Sequence, residues 1–177
     1  MTVEKLLRDN EELIFKSVQT INFTRLKSFY SPPDEYRACC LDKSKEDSFY
    51  VQKFDTYLLK WIDRLTFIDK NPLTQILSNK DILNVFYFKV WGDVIEHKDP
   101  SGRNLGYPVD KYKTLLMPIK IPKVSKDVFD TFYGKKSVDI IEGKFMHWDV
   151  CNVPHYWKYD ISKGKEMFEL LHIDFIE

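Results

Sequence analysis

Apolar positions at the start of the chain follow the period of an α-helix. They recur about every three or four residues and form one stripe: Val3, Leu6, Leu7, Ile14 and Val18. This spacing predicts an amphipathic helix over roughly the first 18 residues. A stronger stripe follows the turn-forming segment Ser31-Pro32-Pro33-Asp34, with Ser48 in position to cap its helix: Tyr50, Phe54, Tyr57, Leu58, Trp61 and Leu65. We expect this second helix to pack against a sheet.

The pattern changes from helical to strand-like at Ile82. The segment Ile82 to Val90 is rich in β-branched and aromatic residues, which is typical of a buried strand. Further short runs, separated by glycine and proline, also predict strands: Val94 to His97, Tyr112 to Ile121, Val138 to Ile141, Phe145 to Trp148 and Phe168 to Phe175. Helices followed by many short strands predict a mainly β fold, a sandwich or barrel buttressed by N-terminal helices. We expect one domain over residues 1–177, with the helical buttress in residues 1–80 and the β core in residues 81–177.

Composition and charge narrow the class of protein. Apolar residues make up 44 % and charged residues 31 % of the 177 residues, as in globular rather than disordered proteins. The 27 basic and 27 acidic side chains balance, so the charge does not indicate a nucleic acid or a membrane surface as a partner. No apolar run approaches the roughly 18 residues of a membrane span, and the polar start is unlike a signal peptide.

Two further features of the composition concern the environment of the protein. The three cysteines include the adjacent pair Cys39 and Cys40, whose geometry does not favour a mutual disulfide, so we expect free thiols and a cytoplasmic location. Ala38 is the only alanine, and lysine far outnumbers arginine. This bias is typical of an AT-rich genome, such as that of a bacterium or a phage, and a phage protein would act in the host cytoplasm.

The residues with the clearest chemistry are His97 and Asp99. On an extended strand, residues two positions apart project from the same face, so this pair offers an imidazole and a carboxylate side by side. A second histidine, His155, precedes the final apolar strand. Two histidines and one carboxylate form the facial triad that binds non-haem Fe(II) and leaves coordination positions open. His147 competes with His155 for the third position, and an ordinary polar strand end is the alternative interpretation of the pair.

Several short motifs occur in the order found in one enzyme superfamily. His97-Lys98-Asp99 looks like an HxD motif, and the apolar run Lys113 to Ile119 follows it. Glu142 to Asp149 looks like the turn before a distal histidine, which Pro154-His155 then supplies. From Leu83 to Phe175 the chain therefore resembles the Fe(II)/2-oxoglutarate-dependent oxygenases, which have a double-stranded β-helix fold, a cupin-like jelly roll.

The resemblance implies a function and a set of site residues. Fe(II) would be held by His97, Asp99 and His155, with 2-oxoglutarate as the co-substrate. The expected reaction is hydroxylation of a C–H bond in a protein side chain or a small molecule, as in prolyl or aspartyl/asparaginyl hydroxylases. Two alternatives stay open: a different metal cupin that binds zinc or manganese through the same residues, and a non-catalytic jelly-roll binding or structural protein.

A 2-oxoglutarate site also needs a cation for the distal carboxylate. Lys113 alternates in phase with Leu115 and Met117, so we expect its side chain to point inward, and related branches of the superfamily keep a lysine on this strand. Lys165, ten residues after His155, is the alternative, because other branches place an arginine or lysine there. The chain departs from those branches in having no arginine at that end.

Other residues near the motifs have less direct predicted roles. Arg103 lies in the glycine- and proline-containing loop after Asp99, and we expect it to anchor an anionic or polar group at the pocket rim, with a solvated surface charge as the alternative. His172 is in phase with Phe168, Leu170 and Asp174 of the last strand, which predicts a structural or pocket-lining role. Core packing is expected for most of the nearby aromatic residues, with one or two lining the pocket: Trp91, Trp148, Tyr156 and Trp157.

Overall fold

A computed structural model describes residues 1–19, 76–77, 79–90, 92–99 and 110–177. In these ranges the helices and strands are α1 (Val3–Asp9), α2 (Glu11–Gln19), β1 (Ile82–Val90), β2 (Val94–His97), β3 (Tyr112–Lys120), β4 (Phe129–Tyr133), β5 (Lys136–Val138), β6 (Met146–His147), β7 (His155–Tyr159) and β8 (Phe168–Ile176). None of the helices in the described part of the chain has the length and apolarity needed to cross a membrane.

The predicted N-terminal helix is two short helices that meet at Asn10. Thr2 caps α1 by accepting a hydrogen bond from the Lys5 backbone N–H at 3.2 Å. Asn10 leaves the helical conformation, and its side-chain amide donates to the Leu6 carbonyl at 2.8 Å. A short polar side chain that hydrogen-bonds to the backbone competes with the continuation of the helix. The period of the apolar residues does not reveal such a break. The predicted apolar stripe nevertheless spans the break, because Leu7 and Ile14 are both fully buried.

The strands form two antiparallel four-stranded sheets. Their orders are β1-β8-β3-β6 and β2-β7-β4-β5. Successive strands alternate between the sheets except at the β4–β5 hairpin, an arrangement compatible with a double-stranded β-helix. The predicted mainly β fold is therefore confirmed, whereas the predicted division into residues 1–80 and 81–177 stays a prediction.

Some strand boundaries differ from those expected. The strands β4 and β7 were not predicted, although their buried positions alternate as β-strands require. The run predicted at Val138 to Ile141 lies mostly after β5, and the one predicted at Phe145 to Trp148 contains only the two-residue β6. The missed or shortened strands are two to five residues long, and charged and aromatic residues share the outer face of β4 and β7, so a regular apolar–polar alternation is not visible in the sequence. The remaining expected helix and turns, and Cys39 and Cys40, lie outside the described residues.

The two faces of the β1-β8-β3-β6 sheet pack against different partners. One face packs against the second sheet around a hydrophobic cluster that includes Leu116, Phe129, Trp148, Trp157, Phe168 and Leu170. Alternate positions on the same strands, such as Leu115 and Ile173, are fully buried on the opposite face. Helix α2 contacts β3, and Gly143 approaches the Phe15 ring so closely that a Cβ atom would lie 3.1 Å from it. Neighbouring residues of β3 and β8 therefore face either the interior of the sandwich or the opposite, helix-side face.

Candidate metal centre

The pairing of β2 with β7 brings together the two histidines of the predicted triad. His97 and His155 are direct partners across these antiparallel strands, and their ring centroids are 4.4 Å apart. Asp99 follows the end of β2, where its backbone N–H donates to the Val150 carbonyl at 2.8 Å. This bond ties the segment after β2 to the turn that precedes β7, and so holds the carboxylate beside both imidazoles.

The three side chains converge on one point. Asp99 Oδ1 lies 3.3 Å from His97 Nε2 and 3.2 Å from His155 Nε2. One ligand atom from each residue lies within 4.8 Å of the others, so the group could hold a metal ion. The predicted convergence of these residues is confirmed. His147, the competing histidine, lies exposed in β6 of the other sheet.

Backbone carbonyl groups orient both imidazoles. His97 Nδ1 donates to the Ile95 carbonyl at 2.7 Å, and His155 Nδ1 donates to the Val153 carbonyl at 3.1 Å. A carbonyl oxygen can only accept, so Nδ1 has the proton in each ring, and in a neutral imidazole Nε2 then presents a lone pair. Metal-binding histidines are usually oriented by such a hydrogen bond from the ring nitrogen that does not bind the metal.

The arrangement favours a cation between the three side chains. Two Nε2 lone pairs facing a carboxylate oxygen at this distance repel one another unless a proton or metal ion lies between them. The Asp99 carboxylate accordingly raises the pKa of His97, against the effect of burial. Burial by itself would raise the pKa of Asp99, but hydrogen bonds from His155 and His97 hold it well below the usual carboxylate value. The arrangement of the triad is therefore suited to holding a positive charge between its side chains.

One side of the triad is open to solvent and the other is walled by aromatic rings. The side-chain exposure is 37 % for His97 and 24 % for Asp99, but only 6 % for His155. The Trp148 ring meets His155 edge-on at 6.1 Å, and Tyr133 stacks on Trp148 at 4.9 Å. Positions for further ligands of a bound ion are therefore available on the β2 side.

The other aromatic residues expected near the site have different placements. Trp157 lies in the buried cluster between the sheets, with its ring 5.3 Å from that of Phe168. Tyr156, on the opposite face of β7, stacks on Phe132 at 4.6 Å. Trp148 is therefore the expected aromatic residue that lies against the triad, while the prediction for Trp91 concerns a position outside the described residues.

A second polar cluster lies inside the sandwich. His172 Nε2 is 2.8 Å from Asp174 Oδ1, and the Thr114 hydroxyl donates to the same oxygen at 2.6 Å. All three residues are buried and share the strand phase of Leu116 and Leu170, which face the second sheet. His172 is buried, and the structural or pocket-lining role predicted for it stays a prediction. The sequence placed Asp174 in phase with His172, but no role was predicted for Asp174 or Thr114.

The charge of His172 influences the pKa values of Asp99 and His97 in the triad. Burial by itself would lower the pKa of His172, but the negative charges of Asp174 and Asp99 raise it above the usual value. In return, the charge of His172 helps to lower the pKa of Asp99 and opposes the protonation of His97. His172 therefore interacts electrostatically with two members of the triad across the interior.

Of the three residues predicted to bind the co-substrate or another anion, the structure describes Lys113 and Lys165. Lys113 alternates with Leu115 as expected, but this phase belongs to the face opposite Thr114, and its Nζ is 3.9 Å from Glu177 Oε2. Lys165 is exposed in the turn after the far end of β7 from His155. Arg103 lies outside the described residues. The binding roles predicted for these three residues stay predictions.

Comparisons with known proteins add no family assignment. No protein-family model matches the sequence, and a search of curated proteins found no match. The resemblance to the oxygenases therefore depends on the order of the motifs, the strand order of the two sheets and the geometry of the His-Asp-His group.

Proposed function

We propose that this protein binds Fe(II) through His97, Asp99 and His155 and acts as a 2-oxoglutarate-dependent dioxygenase that hydroxylates a C–H bond. The observation that supports the proposal most directly is the convergence of two Nε2 atoms and a carboxylate oxygen within 4.8 Å at one end of a β-sandwich. The substrate would be a protein side chain or a small molecule.

The donor set fits a divalent transition metal. Two imidazoles and one carboxylate are the ligands of non-haem Fe(II) sites, which keep positions open for a co-substrate and oxygen. When bound, the iron would supply the redox chemistry, whereas the protein would supply orientation and charge. The Ile95 and Val153 carbonyls hold the rings in the tautomer that presents Nε2, and Asp99 offsets part of the metal charge.

The proposal is tested by adding Fe(II) and then 2-oxoglutarate to the full chain without oxygen. Chelation of iron by a 2-oxo acid produces a weak visible charge-transfer band, so we expect this band in the wild-type protein. His155→Ala should abolish the band and most of the iron binding. His147→Ala, which removes an exposed histidine of the other sheet, should preserve both. An unaltered band in His155→Ala would contradict the assignment.

A metal cupin that binds zinc or manganese without a 2-oxo acid is the second candidate. It is favoured by the surroundings of the two lysines: Lys113 Nζ lies 3.9 Å from Glu177 Oε2, and Lys165 is exposed. Such a protein would bind the metal through the same residues, but 2-oxoglutarate would change neither the spectrum nor the metal affinity. A non-catalytic jelly roll would bind no metal at all, so the same titration separates the three functions.

A further inference from the structure

One turn supplies backbone groups that hold two members of the triad. It lies just before β7, and we call it the 149–153 turn. The Val150 carbonyl accepts the hydrogen bond from the Asp99 backbone N–H at 2.8 Å. The Val153 carbonyl accepts the hydrogen bond from His155 Nδ1 at 3.1 Å. Any shift of this turn would therefore move the backbone that carries the carboxylate and release the ring of the buried histidine.

The 149–153 turn is held together by its first residue, Asp149. The Asp149 carbonyl accepts a hydrogen bond from the Val153 backbone N–H at 2.8 Å. Its two carboxylate oxygens accept hydrogen bonds from the Asn152 side-chain amide at 3.1 Å and 3.0 Å. An aspartate that bonds groups three and four residues ahead closes a compact turn. The turn therefore moves as one unit, and its position is set wherever Asp149 is attached to the rest of the protein.

The end of β4 attaches both ends of the turn to the sheet that carries the histidines. The Asp149 backbone N–H donates to the Tyr133 hydroxyl at 2.9 Å. At the other end, the Gly134 N–H donates to the Pro154 carbonyl at 2.9 Å. Tyr133 is also the direct partner of His155 in the pairing of β4 with β7. The hydroxyl that holds the turn and the histidine that the turn orients are therefore built on paired residues of one sheet.

The ring of Tyr133 is itself held in place. It stacks on Trp148 at 4.9 Å, and the Trp148 ring, which is buried, meets His155 edge-on at 6.1 Å. Asp149 is exposed, so a water molecule would satisfy its N–H if the hydroxyl were removed. Such a water is not attached to the sheet and would not fix the position of the turn. The hydroxyl therefore contributes to the placement of the turn more than to the stability of the fold.

We propose that the 149–153 turn preorganises the metal centre and that Tyr133 is the residue that positions this turn. The inference rests on the metal binding in the proposed function, and it holds for iron, zinc or manganese alike. Tyr133 acts through the Val150 and Val153 carbonyls, which hold Asp99 and His155. Losing a group that hydrogen-bonds to a metal ligand lowers metal affinity by about 10–100-fold. Because Tyr133 acts one step further out, we expect an effect at the lower end of this range.

The test removes the hydroxyl and keeps the ring. Zn²⁺ affinity of the full chain is measured by competition with a chromophoric chelator, and the visible bands of bound Co²⁺ are recorded at saturation. Tyr133→Phe should lower the Zn²⁺ affinity by about tenfold and change the Co²⁺ bands, because the ligands are no longer held in one arrangement. The unfolding midpoint of the metal-free variant should change little. Tyr156→Phe is the matched control and should preserve both readouts, because this ring stacks on Phe132 on the opposite face of β7.

The possible results separate this inference from the proposed function. If the wild-type protein binds neither metal, the proposed function is wrong and the inference with it. If it binds both and Tyr133→Phe keeps the wild-type affinity, metal binding stands and the positioning role is refuted. Lower affinity with an unchanged Co²⁺ spectrum and a large loss of stability would also refute it, since the hydroxyl would then be merely structural. Should Tyr133→Phe fail to fold, Asn152→Ala loosens the same turn from its exposed side, and an unchanged Zn²⁺ affinity there would overturn the inference.

Discussion

The replacement Asp99→Asn tests whether the triad is a metal site. It preserves the shape of the side chain but removes the charge that lies 3.3 Å and 3.2 Å from the two histidine Nε2 atoms. A metal at 100 times its dissociation constant stabilises the folded state by about 2.7 kcal/mol. Losing a group that hydrogen-bonds to a metal ligand typically lowers metal affinity by about 10–100-fold, and we expect the loss of a direct ligand to lower it by at least about 100-fold. The metal at that concentration would then stabilise the variant by only about 0.4 kcal/mol.

The assay is denaturant unfolding with and without metal, followed by far-ultraviolet circular dichroism. Zn²⁺ serves as the redox-inert probe, and anaerobic Fe(II) gives the comparison. The metal-free variant provides its own baseline, so any change in the stability of the apo fold cancels. His147→Ala is the matched control and should keep the full metal-dependent shift. If Asp99→Asn is stabilised as much as the wild-type protein, the three side chains are not a metal site.

Three further predictions concern protonation, the buried cluster and one turn. The raised pKa of His97 stabilises the metal-free fold at pH values below its unfolded pKa of 6.5, and this stabilisation is lost as pH rises through the folded pKa. Stabilisation by metal should increase over the same range because the metal displaces the proton, and unfolding with and without metal at several pH values checks both signs. Thr114→Val removes the donor to the buried Asp174 carboxylate and should lower the unfolding free energy by about 1.5–3 kcal/mol. The control Thr131→Val, which loses a hydrogen bond to a backbone carbonyl, should lower it by about 1 kcal/mol, and equal costs would contradict the importance of the cluster. Gly143→Ala should destabilise the fold by about 1–3 kcal/mol, because Gly143 has a φ of +75° and the new Cβ would meet a phenylalanine ring of α2. Thermal or denaturant unfolding measures this cost, and a neutral effect would argue against the contact.

The sequence by itself predicted the fold class and the members of the triad. Strand period and composition identified β1, β2, β3 and β8, because long apolar or aromatic runs have few other conformations open to them. The two-residue spacing of His97 and Asp99 required only that β2 be extended. The Pro154-His155 junction and its distance from the last strand then favoured His155 over His147. These conclusions depend on local geometry and on short motifs, both of which can be read directly from a sequence.

The break at Asn10 and the strands β4 and β7 were not predicted, for two different reasons. A side chain that bonds its own helix backbone ends the helix without disturbing the apolar period. In β4 and β7, the less buried positions are a mixture of charged and aromatic residues, and each strand is only five residues long. Such segments are stabilised as strands by pairing with each other, and pairing is a property of the whole sheet.

Which face of β3 points toward the triad was decided only by the tertiary structure. Residues 114–119 are all buried, because the second sheet covers one face of this strand and the other face is also shielded from solvent. Alternation divides the strand into two sets of residues, but it cannot identify the set that meets the metal centre. Lys113 belongs to the set on the other face, and Thr114 to the set in the interior. The bond from Thr114 to Asp174 joins residues 60 positions apart, and only the pairing of β3 with β8 brings them together.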